Sequence, residues 1–440
     1  MNKATYLAQN DVIEFINWLV VNLPKLKISL RIKQSRFVPK GVSADITGFD
    51  NILSHYMWKS TGMTTGDWAE TKARLTVLSN ALRAAVNAGN HADTLDACDN
   101  ILSWGGNRNR AVGAYKFLHS MAQGTLCPYI IDAGKAFSLN TASTAHLSPP
   151  VTRMNAMLTK VHALYSADGL PIYDSRVAAA IASLVELWRR ATGQSGTLLP
   201  HALAFPATMT TRTVFRLFPD AIHPSVMPYG ASSTPQQWSS AKVRLGWIME
   251  EVLTRNPNLV LPGQAAHLVD RMHGFEASLF MIGYDIACLN SGTATATNAE
   301  SFATVAPEYA KAIKKVRKVL TEKFTSTQRI DCQTLVKQCD FQYSGNLDDG
   351  FVIWYQKSEP VFLEPDFIEE MQNSFSGGMA VPFGFDMTGK NASANSFGVW
   401  IASQSSQLGK KLTGRNASHI AALLVQEGLA ERTNNTIKFF

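Results

Sequence analysis

Between about residue 65 and residue 290, apolar side chains recur at helical spacing through eight stretches, and that pattern commits the chain to a helical core. The stretches are 68–89, 91–104, 108–122, 129–139, 151–166, 174–192, 235–255 and 263–289, most of them joined by short polar turns. With 440 residues, 46% of them hydrophobic, the chain has apolar material for two or three domains. The sixth and seventh stretches are separated by a long connection, 193–234, which carries Pro200, Pro206, Pro219, Pro224 and Pro228. Connections of that length inside a domain are often functional.

The ends differ from this core. After an amphipathic first helix comes KLKISLRIK (25–33), where Leu26, Ile28, Leu30 and Ile32 alternate with Lys25, Lys27, Ser29, Arg31 and Lys33. This predicts a strand with one buried and one basic face. The basic face is either a solvated edge or, with Arg36 and Lys40 beyond it, a phosphate-tracking surface. A basic helix is expected over 298–325, carrying Lys311, Lys314, Lys315, Arg317, Lys318 and Lys323. A strand follows at GFVIWYQ, then the glycine-rich SGGMAVPFGFDMTG. The terminal RNASHIAALLVQEGLAERTNNTIKFF reads as a helix, a glycine stop and a short strand after a turn, similar to the closing helix and wing of a winged-helix module. The expected fold class is therefore mainly α with an added α+β carboxy-terminal module. Its divisions are 1–60 (helix and basic strand), 61–290 (helical domain), 291–345 (basic helical linker) and 346–440 (α+β module).

Several chemistries are excluded. Cys98, Cys127, Cys288, Cys332 and Cys339 are odd in number and contain no CxxC pair, which argues against a zinc ribbon or a disulfide framework and fits a reducing cytoplasm. No apolar run of membrane-spanning length is present, since Glu186, Glu276 and Asp285 interrupt the candidates. His267, Asp270 and His273 stand three apart, without the usual spacing of helical metal ligands. P-loop, dinucleotide and GxSxG motifs are absent, so no cofactor or metal is expected. The formal charge of +7 favours a polyanionic partner.

The stretch ADGLPIYDSRVAAAIASLVELW (167–188) delivers Asp174 to the start of a strongly apolar helix. Either Asp174 or Ser175 can serve as its N-cap, but no capping box follows, because Val177 and Ala178 stand where Glu or Gln would. The segment LPIYDSRVAAAI resembles one in helix-hairpin-helix DNA glycosylases, and more closely in bacterial proteins of the 8-oxoguanine DNA glycosylase fold. There a Pro, an apolar residue or two and the catalytic Asp lead into a helix. The resemblance covers about residues 60–260 and implies that Asp174 is the catalytic carboxylate, with Tyr173 beside the substrate and Arg176 near the DNA.

Upstream, AMLTKVHALY looks like the helix that supplies a lysine nucleophile in family members that also cut the backbone, which implies that role for Lys160; the other reading is a solvated lysine on an amphipathic helix. Arg153 lies nearer to where the hairpin lysine falls, but an arginine does not readily lose its proton and is assigned to DNA contact. The family's hairpin glycines are missing, and Pro149 and Pro150 stand in their place. In ILSWGGNRNRAVGAYKFL (101–118), the resemblance implies that Trp104 and Asn107 meet an extruded base while Arg108 and Arg110 meet phosphates; Trp104 in the core and Gly105-Gly106 as a helix stop is the plainer reading. In TPQQWSSAKVRLGWIMEEVL (234–253), Gln237 and Trp238 would face the base. The expected activity is excision of a modified base from double-stranded DNA, either an oxidised purine or a hypermodified cytosine of phage DNA in antiviral defence. The alternative is a non-catalytic DNA-binding regulatory protein with a carboxy-terminal winged helix.

Overall fold

The computed structural model describes residues 1–106, 113–121, 124–147, 150–194, 199–206, 214, 217–218, 234–261, 267–289, 328–346, 350–355, 360–363, 368, 371, 375, 380–383, 396–403, 412 and 414–439. The chain divides into two compact units, one of residues 1–208, 212–227 and 231–295, the other chiefly 296–440. The expected basic helix 298–325 and most of the 193–234 connection lie outside the described residues.

In the first unit, α1 (Lys3–Leu7) and α2 (Asn10–Asn22) precede β1 (Lys27–Ile32) and β2 (Val42–Thr47), which pair antiparallel. The helical series follows: α3 (Trp68–Asn87), α4 (His91–Trp104), α5 (Gly113–Ser120), α6 (Leu126–Phe137), α7 (Leu158–Tyr165), α8 (Ser175–Ala191), α9 (Thr234–Arg255) and α10 (Leu268–Ile282). Residues 1–60 belong to this unit instead of standing apart. Tyr6 of α1 is fully buried, with its ring 5.4 Å from that of Trp247 on α9 and its hydroxyl donating to the Ala202 carbonyl at 2.9 Å. In β1, Ile28, Leu30 and Ile32 are buried as the alternation requires. On the opposite face Arg31 makes a two-pronged pair with Asp45 of β2 at 2.8 and 2.9 Å, so part of the basic face is neutralised within the sheet.

The apolar character of α8 has a simple cause. Every residue from Leu170 to Glu186 is buried, as a helix packed on all sides must be. Its alanines let neighbours approach closely. Gly283, after α10, sits against the Arg176 backbone, where an added Cβ would come within 2.0 Å of the carbonyl oxygen. The expected helix 151–166 begins only at Leu158; before it Asn155 holds a turn, its side-chain oxygen accepting from the N–H groups of Met157 and Leu158 at 3.0 and 2.8 Å.

The second unit is α+β. Strands β3 (Ile330–Gln333), β4 (Asp340–Asn346), β5 (Gly350–Trp354) and β6 (Val361–Leu363) form an antiparallel meander. A three-stranded sheet has the order β7-β9-β8, from β7 (Val381–Pro382), β8 (Ala430–Thr433) and β9 (Thr436–Phe439). Between β7 and β8 come α11 (Phe397–Ser403) and α12 (Gly414–Gln426). No residue of α12 from Asn416 to Val425 is exposed. One side of the helix packs in the core with Phe397 and Ile437, while His419 lies against Phe341 and Tyr355 of the meander, with ring separations of 5.0 and 4.8 Å.

His162 of α7 is buried between Tyr129 and Phe137, and burial, helped by the Lys242 charge, pulls its imidazole down to about 3 from 6.5. The unfolded chain therefore takes up a proton that the folded chain refuses, and this histidine's contribution, complete above 6.5, is lost as pH falls towards 3. His162→Gln should flatten the fall of melting temperature across that window relative to the unsubstituted chain, as read by circular dichroism.

Candidate active site

Because the start of α8 is wholly enclosed, its first N–H groups cannot turn to water and must find a partner in the protein. Asp174 supplies it, with Oδ1 accepting from the N–H groups of Arg176 and Val177 at 3.0 and 3.2 Å. The cap reading is thus correct, and it uses only one of the two carboxylate oxygens. The other, Oδ2, lies 3.8 Å from Lys160 Nζ and 4.0 Å from Arg176 Nη1.

Lys160 is not a solvated lysine. Its side chain is 6% exposed, and its ammonium donates to the Ala156 carbonyl at 2.8 Å while facing Asp174. The stem passes over Gly105 at the end of α4, where a Cβ would meet Lys160 Cδ at 2.7 Å. The Trp-Gly-Gly step and the lysine, fifty-odd residues apart, are therefore packing partners. Trp104 itself is 6% exposed, its carbonyl accepting from Trp58 Nε1 and Ser60 Oγ at 3.1 and 2.7 Å. Its indole Nε1 has no acceptor among the described residues.

The other predicted contacts fall in varied places. Arg176, expected at the DNA, is 3% exposed and lies among aromatic rings instead, its guanidinium carbon 4.6 Å from the ring centre of Tyr284, 5.0 Å from Phe280 and 5.5 Å from Trp58. Tyr173 and Trp238, expected beside a base, are both enclosed because each completes the other's hydrogen bonding and packing. Trp238 Nε1 donates to the Tyr173 carbonyl at 2.7 Å, and the Tyr173 hydroxyl donates to the Pro206 carbonyl at 2.9 Å. Gln237 is exposed in the first turn of α9. Arg153 is half-buried, with its guanidinium over the Phe117 ring at 5.7 Å. Asn107, Arg108 and Arg110 lie outside the described residues.

Two residues that sequence reasoning passed over complete the cluster. Lys242 of α9 is fully buried and donates to the Thr159 carbonyl at 3.0 Å, to Thr159 Oγ1 at 2.9 Å and to the Pro171 carbonyl. Thr159 Oγ1 also accepts from the Tyr173 N–H at 3.0 Å. One ammonium thus staples the residue before Lys160 to the segment leading into Asp174. Burial holds the Lys242 amine well below its ordinary range. Glu276 of α10 is also buried, and burial together with the Asp174 carboxylate pushes its carboxyl up to about 8, against the pull of Lys242 and Lys160. The available signal was the position of Lys242 and Glu276 inside otherwise apolar helical runs, SSAKVRLGW and GFEASLF, where a charge must be partnered or neutralised.

No metal-binding group of His, Cys, Asp and Glu exists among the described residues, and no described helix is long and apolar enough to cross a membrane. Comparison of the chain with protein-family models, curated proteins and solved structures finds no match.

Removing the staple leaves three buried oxygen acceptors with fewer partners. Lys242→Met should destabilise the protein by about 1–3 kcal/mol in urea unfolding. Glu276 behaves oppositely to His162. Its folded carboxyl titrates above the unfolded value of 4.5, so its contribution is complete below 4.5 and lost as pH rises through about 8. Glu276→Gln should gain in melting temperature relative to the unsubstituted chain as pH is raised across that range.

Proposed function

We propose that this chain is a DNA glycosylase in which Asp174 is the catalytic carboxylate and Lys160 the adjoining amine. The observation that carries this reading is their meeting at 3.8 Å, from positions fourteen residues apart, at the buried start of one helix. Breaking an N-glycosidic bond makes the sugar carbon cationic, and a carboxylate fixed at a helix N-terminus is pre-aimed to stabilise that charge.

Two routes follow from the pair. In simple hydrolysis, Asp174 accepts a proton from water, the oxygen bonds to C1′ and the base departs with the glycosidic electron pair, leaving an abasic site. In the lyase route, Lys160 first yields its proton, with Asp174 the neighbouring acceptor, and its nitrogen bonds to C1′ as the base leaves with the glycosidic electron pair; the C1′–O4′ bond then breaks, O4′ taking the proton that the attacking nitrogen sheds, and the C1′–nitrogen double bond of the Schiff base forms. Both side chains are enclosed, so either route requires DNA binding to open the site. Trp104 Nε1, a buried donor one residue from the glycine under Lys160, would then be available to an acceptor on the substrate.

The substrate we propose is a modified base in duplex DNA, either a hypermodified cytosine of phage DNA, in a defence role, or an oxidised purine. Extrusion costs a few kcal/mol, offset by phosphate contacts and stacking. The order β7-β9-β8, with α11 and α12 between β7 and β8, supports a winged-helix reading of the terminal module. The burial of α12 weighs against that helix entering a DNA groove, and so against a purely regulatory DNA-binding role.

Incubation with duplexes bearing 8-oxoguanine, uracil or glucosylated hydroxymethylcytosine, followed by alkali, should give strand breaks on at least one substrate. Asp174→Asn, which keeps the capping oxygen, should abolish the breaks while DNA binding persists. Borohydride should trap the protein on DNA only if Lys160 forms the Schiff base, and Lys160→Met should then remove the adduct. Absence of base release on every substrate, phage genomes included, would overturn the reading.

A further inference from the structure

A cleft of about 160 Å³ separates α3 from α10. Thr76 and Asn80 of α3 stand exposed at the mouth; Ile172 and Glu276 line the cleft where the protein is buried, which makes the Glu276 carboxyl part of its floor. The ring of Trp68 forms part of the wall and is fixed by an edge contact with Tyr56 at 5.4 Å.

The cations in the wall are already engaged. Lys72 pairs with Asp270 at 3.1 Å, and Arg83 donates to the carbonyls of Tyr165 and Ser166. His273, the remaining basic group of the lining, is pulled by desolvation down to about 4 and is neutral near pH 7. Such a wall offers little to a phosphate or carboxylate. A floor carboxyl that keeps its proton presents one O–H donor beside one carbonyl oxygen, whose second lone pair can serve a ligand while the first accepts from the Ile172 N–H, and this pair is the complement of a lactam or amidine edge.

We propose that the cleft between α3 and α10 is a binding site for a small, neutral, planar nitrogen heterocycle, whose adjacent donor and acceptor pair with the Glu276 carboxyl while its ring packs against Trp68. That space admits a single six-membered ring and little more. Enclosure of Glu276 makes the pairing selective, because a molecule lacking either group leaves a buried polar atom unmatched. The site rests on the cleft alone and does not require Asp174 or Lys160 to be catalytic.

The test is calorimetric titration of the full chain with cytosine, uracil and, as a planar anion, benzoate. Cytosine or uracil should saturate the protein, and benzoate should not. Asn80→Trp and Thr76→Trp, which fill the mouth from exposed positions and leave the core alone, should each weaken binding by about tenfold or more, corresponding to roughly 1.4 kcal/mol. Glu276→Gln keeps a paired donor and acceptor and should bind within a few-fold of the unsubstituted chain, whereas Glu276→Leu should lose binding. The proposal is overturned if neither heterocycle saturates up to its solubility limit, if the mouth-filling variants bind normally, or if benzoate binds more tightly. Base release from DNA with no heterocycle binding would remove this inference and leave the glycosylase reading intact. Heterocycle binding without base release would do the reverse.

Discussion

The hydrogen-bond demand at the start of α8 is the constraint on which the site depends. A helix whose first turn is sealed from water must have its N–H groups satisfied from within, and Asp174 does this with a single oxygen. Fixing Oδ1 fixes the whole carboxylate, so Oδ2 is held facing Lys160 and Arg176. The structural and chemical roles proposed for Asp174 are consequently compatible, one on each oxygen.

A buried carboxylate calls for compensation, and the surrounding helices provide it in graded form. Lys160 and Arg176 approach Asp174 directly, while aromatic rings of Trp58, Phe280 and Tyr284 surround the arginine. Lys242 spends its hydrogen bonds on backbone and hydroxyl oxygens and so acts on geometry, tying α7 to the strand-like segment before α8. Glu276 avoids the cost of a second buried negative charge by holding its proton. Isolated buried charges in an apolar core would be expensive; here each has a neighbour that explains its tolerance.

The terminal module contributes a different lesson. A helix followed by a hairpin suggests a nucleic-acid reader, yet in this unit the helix packs into one core shared with the β3–β6 meander, and its His419 lies against Phe341 and Tyr355. Glu427 near its end accepts from the Tyr343 hydroxyl, and Asn416 near its start donates to the Tyr355 hydroxyl at 2.9 Å. Those contacts make α12 a structural spine of the unit, so the chemistry proposed for the protein is assigned to residues of the first unit.

Much of the helical order was legible because periodicity is local. The 91–104 helix agrees with α4 to the residue, and 174–192 and 235–255 agree with α8 and α9 within one residue at each end. The alternation of KLKISLRIK likewise produced β1 with its buried isoleucines and leucine. The motif before α8 singled out Asp174, since a carboxyl at a helix start leaves a clear local mark. Burial of long polar side chains leaves none. Lys160, Arg176, Lys242 and Glu276 are drawn inward by packing from α4, α7, α9 and α10, whereas in sequence Lys160 read as either a nucleophile or a solvated lysine and Arg176 as a DNA contact. Chain order alone thus determined the helices and the capping aspartate, through backbone hydrogen bonding and side-chain period. Only tertiary structure decided which charges share one enclosed space, because their pairing depends on helices distant in sequence closing around the same point.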